Sequence, residues 1–234
     1  MIFRFGTATD LLRRAIKKLL FGHEVRPRRV LFGSGRRIVL LTNPAHGIQR
    51  LTGLAERELQ PHLSKCIANA RSFIDVGASN GWYSLLAAKL NPRIQVVACE
   101  PDEEMIRELH ENLALNPMLA AQIRIVDRAV GVGGVQLGAL LKSLEKPVSI
   151  KIDVEGAELS VLESGGDQLG SSVMSLIIET HGKELERRCL ELLNGAGFST
   201  IVVDKGWYRA IVPEKRVLPH NRWIVALRKL CESS

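Results

Sequence analysis

Phe73-Ile74-Asp75-Val76-Gly77-Ala78-Ser79-Asn80-Gly81-Trp82 decides the architecture of this chain. A short apolar run carries one acid and stops at a glycine, small residues follow, and an apolar helical stretch opens at Trp82. A strand that turns into a helix through a small-residue loop is the repeating unit of α/β sheets. Downstream the unit recurs. Residues 82–90 read as a helix closed by Asn91-Pro92, 94–99 as a strand, and 102–115 as a helix. Asp102 caps that helix, and Met105, Ile106, Leu109 and Leu113 have core spacing. Further strands are predicted at 123–126, 148–154, 175–179, 200–203 and 222–227, with helical stretches at 137–144, 157–163 and 185–194. The alternation predicts a doubly wound, mostly parallel α/β sheet. In such sheets ligands bind beyond the carboxyl ends of the strands, and function is sought there.

The first strand end reads D-x-G-x-x-x-G, from Asp75 through Gly77 and Ser79 to Gly81. Glycines let the backbone approach a ligand closely, and a helix N-terminus presents N–H donors. A dinucleotide fingerprint would place its third glycine where Trp82 stands, so NAD is disfavoured. The pattern suits a nucleoside that carries an amino-acid chain, whose carboxylate and ammonium would use the loop N–H groups and Asp75. S-adenosylmethionine is such a ligand. Glu100 follows at the end of the next strand, placed to accept both ribose hydroxyl protons. Asp127 follows the third strand, placed to reach the adenine amino group. Each motif also has a plain reading: a tight turn, an acid at a helix start, a turn aspartate.

The fourth stretch is Ile150-Lys151-Ile152-Asp153-Val154-Glu155-Gly156-Ala157-Glu158. Lys151 and Asp153 fall inside an otherwise apolar strand, where a charge is costly unless paired. Asp153, Glu155 and Glu158 crowd its end; like charges so close raise one another's pKa or recruit a cation. The plain reading is a salt bridge to Lys151, with Glu158 on a solvated helix face. The fifth strand ends in Glu179-Thr180-His181, which puts a carboxylate and an imidazole on the same rim. Histidine is the natural base near neutral pH.

Taken together, the segments 73–84, 98–101 and 150–158, with Asn112, Asn116 and Glu179-Thr180-His181, resemble the FkbM family of S-adenosylmethionine-dependent methyltransferases. The likeness spans about residues 53–205, including Glu56 and Glu58, and the I-K-I-D-V-E-G-A-E string is its most specific part. The resemblance implies a class I methyltransferase fold, a Rossmann-like sheet of seven strands, and methyl transfer to an oxygen. It implies a small-molecule, glycan or lipid-linked acceptor. It places Asp75, Gly77, Ser79 and Gly81 at the methionine part of the cofactor, Glu100 at the ribose and Asp127 near the adenine. Asp153, Glu155, Glu179 and His181 would face the acceptor. The chain departs from the family in having Ser79 where an asparagine is usual, and Leu137-Gly138-Ala139-Leu140 where an acidic stretch is common. The expected chemistry is direct displacement, with His181 as base assisted by Glu179 or Asp153. A divalent cation on Asp153, Glu155 and Glu179 is the alternative.

The 234 residues carry a net charge of +7, unevenly spread. Residues 1–50 hold eleven Lys/Arg against Asp10 and Glu24, a local charge of +9, so the remaining 184 residues sum to −2. With the family likeness beginning near residue 53, the chain is expected to divide into a basic extension, 1–52, and a methyltransferase domain, 53–234. In the extension, residues 10–22 form an amphipathic helix with Leu11, Leu12, Ala15, Ile16, Leu19 and Leu20 on one side. It either covers the body or lies on anionic membrane. Residues 29–32 and 37–42 flank Gly33-Ser34-Gly35 as a β-hairpin.

Cys66, Cys99, Cys189 and Cys231 are far apart, which disfavours disulfides and zinc and fits a cytoplasmic setting. No apolar run approaches the length of a membrane-spanning helix. A nucleic-acid methyltransferase is disfavoured, because Asp153-Val154-Glu155-Gly156 stands where base-amine methylases carry an N/D-P-P-Y/F-like motif and because an acidic rim repels phosphate. A degenerate fold acting as a binding module conflicts with the intact loop and Glu100. Trp207, Tyr208 and Trp223 either stack on a sugar or pack in the core. Nothing in the sequence fixes an oligomeric state.

Overall fold

The computed structural model describes residues 24–204, 206, 220 and 222–228. The predicted helix at 10–22, Trp207 and Tyr208 lie outside the described residues. The chain divides into two compact units between Ala55 and Glu56.

The first unit contains an antiparallel hairpin of β1 (Arg26–Arg29) and β2 (Val39–Thr42), with Arg26 opposite Thr42 and Arg29 opposite Val39. The predicted hairpin is present, but its first strand begins earlier than expected. The cause is at Leu31 and Phe32, which are exposed, and Leu31 donates its N–H to the Leu51 carbonyl rather than to the ladder. Leu51 closes α1 (Pro44–Leu51), a helix the sequence did not announce.

The second unit is built on a seven-stranded sheet. Its strands are β3 (Ser72–Val76), β4 (Gln95–Cys99), β5 (Ile123–Val126), β6 (Val148–Ile152), β7 (Val173–Thr180), β8 (Phe198–Val203) and β9 (Arg222–Arg228). The order is β5-β4-β3-β6-β7-β9-β8; the first five are parallel, and β9 runs antiparallel between β7 and β8. The helices are α2 (Gln60–Ala68), α3 (Trp82–Leu90), α4 (Glu103–Ala114), α5 (Pro117–Ala120), α6 (Leu137–Lys142), α7 (Glu158–Glu163), α8 (Asp167–Ser172) and α9 (Lys183–Gly195). This is the class I methyltransferase fold. Among the described residues no helix is long and apolar enough to cross a membrane.

Parallel strands covered on both faces read as nearly continuous apolar runs, and β3 and β6 are buried at every residue. Ile74, Val76, Ile150, Ile152, Leu176 and Ile178 join one core cluster. Each such side chain contributes about 1.5–3 kcal/mol on leaving water. Asp75 in β3 and Lys151 in β6 break the pattern, and the register of the two strands sets them directly opposite each other. The strand order reverses between β3 and β6, the switch point at which open α/β sheets bind ligands.

Candidate active site

Asp75 is fully buried, and its Oδ2 accepts from Ser84 Oγ at 2.7 Å. Burial pushes its carboxyl up to about 6, against the pull of Lys151 and the Ser84 hydrogen bond. The loop beyond it is held from inside. The N–H groups of Gly77 and Ala78 donate to the Cys99 carbonyl, and that of Gly81 donates to Ala78. Ser79 N–H donates to Glu100 Oε2 at 2.7 Å, and Asp102 N–H to Glu100 Oε1 at 3.0 Å. Glu100 is thus clamped at the end of β4, and each of its oxygens keeps a second lone pair. Asn112, buried in α4, donates to the Asn80 carbonyl at 2.8 Å and holds the loop from outside. Asp127 is exposed one residue past Val126, whose carbonyl accepts from Glu100 N–H. The expected loop N–H groups at 77, 78, 79 and 81 therefore have protein partners.

Gly77 has φ +79, and a Cβ there would stand 1.9 Å from the Asp153 carbonyl oxygen. Only glycine fits that approach, which joins the loop to the end of β6. Ser79 also lies in the left-handed region, at φ +48.

Lys151 Nζ donates to Asp153 Oδ2 at 2.9 Å and lies 4.3 Å from the centroid of the Tyr83 ring. Burial alone would lower the pKa of this ammonium, but Asp153, Asp75, Glu56 and Glu179 raise it above the ordinary lysine value. Asp153 is held below the ordinary carboxylate range: burial works to raise it, and Lys151, then His181, outweigh that. The predicted Lys151 salt bridge is therefore present.

His181, just beyond β7, has its side chain almost wholly buried. Nδ1 lies 2.5 Å from Glu158 Oε1. Nε2 lies 3.9 Å from Asp153 Oδ1 and 3.9 Å from Glu155 Oε2. The Glu158 hydrogen bond raises the imidazole pKa, burial opposes it, and Glu158, Asp153 and Glu155 add to the rise through their charges. Glu158 is fully buried at the first turn of α7, not on a solvated face, and it takes the place beside His181 expected of Glu179 or Asp153. Glu179 instead accepts from Trp223 Nε1 at 3.2 Å, with Trp223 fully buried in β9. Trp223 is thus a core residue that also holds an acid of the rim.

Of the predicted residues, Asp75, Gly77, Ser79, Gly81 and Glu100 gather around the glycine loop, with Asp127 at the neighbouring strand end. Asp153, Glu155, Glu179 and His181 gather at the ends of β6 and β7. Asp153, Glu179 and His181 offer ligand atoms within 4.8 Å of one another, a set that could hold a metal ion. Glu155, expected in that set, is largely exposed beside it. The sequence reading missed the roles of Glu158, Ser84 and Tyr83.

Residues 128–200 match the family model of the methyltransferase FkbM domain. Over that segment, about a third of its length, the chain is similar to FkbM methyltransferases. The matched segment holds Asp153, Glu155, Glu158, Glu179 and His181, so the family signal falls on the ends of β6 and β7. No curated protein sequence matches the chain. Among solved structures, a human methyltransferase 10 domain containing protein is similar at 17% identity, with 97% of this chain and 98% of that chain covered and a TM-score of 0.54. A putative rRNA methylase from Clostridium thermocellum is similar at 11% identity, covering 76% and 96%, with a TM-score of 0.53. A ribosomal protein L11 methylase from Lactobacillus delbrueckii subsp. bulgaricus is similar at 16% identity, covering 74% and 78%, with a TM-score of 0.52. These likenesses establish the fold the chain shares with them.

Proposed function

We propose that this S-adenosylmethionine-dependent methyltransferase methylates a hydroxyl of a small-molecule, glycan or lipid-linked acceptor, with His181 as general base. The observation that carries the reading is the ring of His181: Nδ1 is fixed by Glu158 while Nε2 faces Asp153 and Glu155. A proton on Nδ1 leaves the Nε2 lone pair free for the acceptor.

The residues around the loop fit the cofactor. Glu100 is aimed by two backbone N–H groups and keeps acceptor capacity for the ribose hydroxyls. Asp75 Oδ1 is a buried acceptor with no hydrogen-bond partner beneath the loop. Because their N–H groups are engaged within the protein, Gly77, Ser79 and Gly81 would line the methionine part by close backbone approach, with Asp75 beneath them as acceptor and Asp127 toward the adenine. S-adenosylmethionine, when bound, supplies an electrophilic methyl group on a sulfonium. His181 Nε2 would take the proton of the acceptor's hydroxyl as that oxygen receives the methyl group. The imidazolium charge is stabilised by Glu158, Asp153 and Glu155. Glu179 shapes the rim from β7 and is anchored by Trp223.

The likeness to the putative rRNA methylase from Clostridium thermocellum raises RNA as an acceptor class. Four carboxylates around one imidazole oppose a polyanion, and a neutral hydroxyl is favoured. The test is His181→Ala, assayed by methyl transfer to an extracted glycan and lipid pool and by calorimetric titration with S-adenosylmethionine. Turnover is expected to fall about 10²–10⁴-fold with cofactor affinity nearly unchanged. A collapse of cofactor affinity would remove His181 from the acceptor side.

A further inference from the structure

Lys151 is 1% exposed, in a strand buried along its whole length. A core position in a central parallel strand ordinarily takes an aliphatic residue. An ammonium there is tolerated only when opposite charges hold it. The β3–β6 register supplies Asp75 from one side. Asp153, two residues on and thus on the same face of the chain, supplies a carboxylate oxygen at 2.9 Å. The face of Tyr83 at 4.3 Å is a further cation-binding surface.

The same Asp153 belongs to the set that could chelate a divalent ion with Glu179 and His181. A carboxylate whose charge already balances a contacting ammonium attracts a divalent ion less than one without such a partner. Asp153 Oδ2 has the ammonium in contact while Oδ1 faces His181 Nε2, and Glu179 Oε2 accepts the indole N–H of Trp223. A divalent ion on the triad would share Asp153 with Lys151 at contact distance.

We propose that Lys151 is the resident cation of the acceptor site. Its ammonium takes the charge-balancing place of a divalent metal and positions Asp153 beside His181 Nε2, so the native protein binds no divalent ion there. The functional meaning rests on reading this rim as the acceptor site; the cation balance rests on the geometry alone.

The test uses the full chain with manganese as the probe. Binding is read by the loss of the free-ion paramagnetic signal, and melting temperature is followed with and without the ion. The wild type is expected to leave the manganese signal unchanged at millimolar ion, with no shift in melting temperature. Lys151→Met and Lys151→Gln leave the triad without its ammonium and are expected to bind manganese at least about tenfold more tightly than the wild type, with a rise in melting temperature. A variant that is unfolded alone and folds on adding manganese supports the proposal in the same way. Manganese binding by the wild type that Asp153→Asn abolishes would overturn it. So would Lys151 variants that bind no more tightly than the wild type or stay unfolded with the ion. None of these readings depends on methyl transfer, so they stand apart from the His181→Ala result.

Discussion

Nδ1 of His181 lies 2.5 Å from Oε1 of Glu158, a carboxylate sealed from solvent at the start of α7. That pairing raises the imidazole pKa above its ordinary value. A base must be unprotonated to work, so activity rises with pH through this elevated pKa. Glu158→Gln keeps the shape and removes the charge. The acidic limb of the kcat/KM profile is then expected to move to lower pH, toward ordinary histidine, with cofactor affinity unchanged. An unmoved limb would show that the limb does not report His181.

Glu100 offers a second test, on the cofactor side. Both of its oxygens are oriented by backbone N–H groups before any ligand arrives. Glu100→Ala removes a charged acceptor and also frees the Ser79 amide. Calorimetry is expected to give S-adenosylmethionine binding about 10–100-fold weaker, the loss of one or two charge-assisted hydrogen bonds. Glu100→Gln, which keeps one oxygen acceptor, is expected to fall between.

The two glycines Gly77 and Gly133 separate strain from collision. Both have φ near +80, but a Cβ at Gly133 meets nothing within 4 Å, whereas at Gly77 it strikes the Asp153 carbonyl. Gly133→Ala is expected to cost about 1 kcal/mol in chemical denaturation, the backbone penalty alone. Gly77→Ala adds a clash that only movement of the β6 end can relieve, and is expected to cost well over that. Equal losses would mean the contact is easily relaxed.

Asp75 sets a pH dependence of its own. Its carboxyl is pushed up by burial to about 6 from an ordinary 3.8. The folded state therefore prefers it protonated, and the stability this confers is lost as pH rises from about 4 to about 6. Over that window the swing is about 3 kcal/mol, two pKa units. Asp75→Asn is expected to flatten this part of the curve of urea midpoint against pH. A slope that survives the substitution would point to other groups.

The sheet was legible because β3, β4 and β6 are short apolar runs that stop at a glycine or an acid. The short helices α5 and α8 were not, having too few turns to display a period. Helix α2 buries Leu63, Cys66 and Ile67 at helical spacing, but Pro61 and neighbouring polar residues obscure the pattern. The Lys151–Asp153 pair could be read from the two-residue period of a strand. Glu158 could not. Its direction depends on the turn at Gly156, where φ is +94, and on how α7 then packs, neither of which is written in a local period. That one turn converts an apparent surface acid into the partner of His181.

β9 lies between β7 and β8, and its Trp223 holds Glu179. The strand order thus runs against the order of synthesis. While the ribosome is still making the chain, β8 has no hydrogen-bonding partner in this sheet, and Glu179 lacks its indole donor. The acidic rim is completed only when Arg222–Arg228 slots in. A nascent chain that already carries the full glycine loop, and with it the residues proposed to hold the cofactor, thus has no finished acceptor rim until its closing strand arrives.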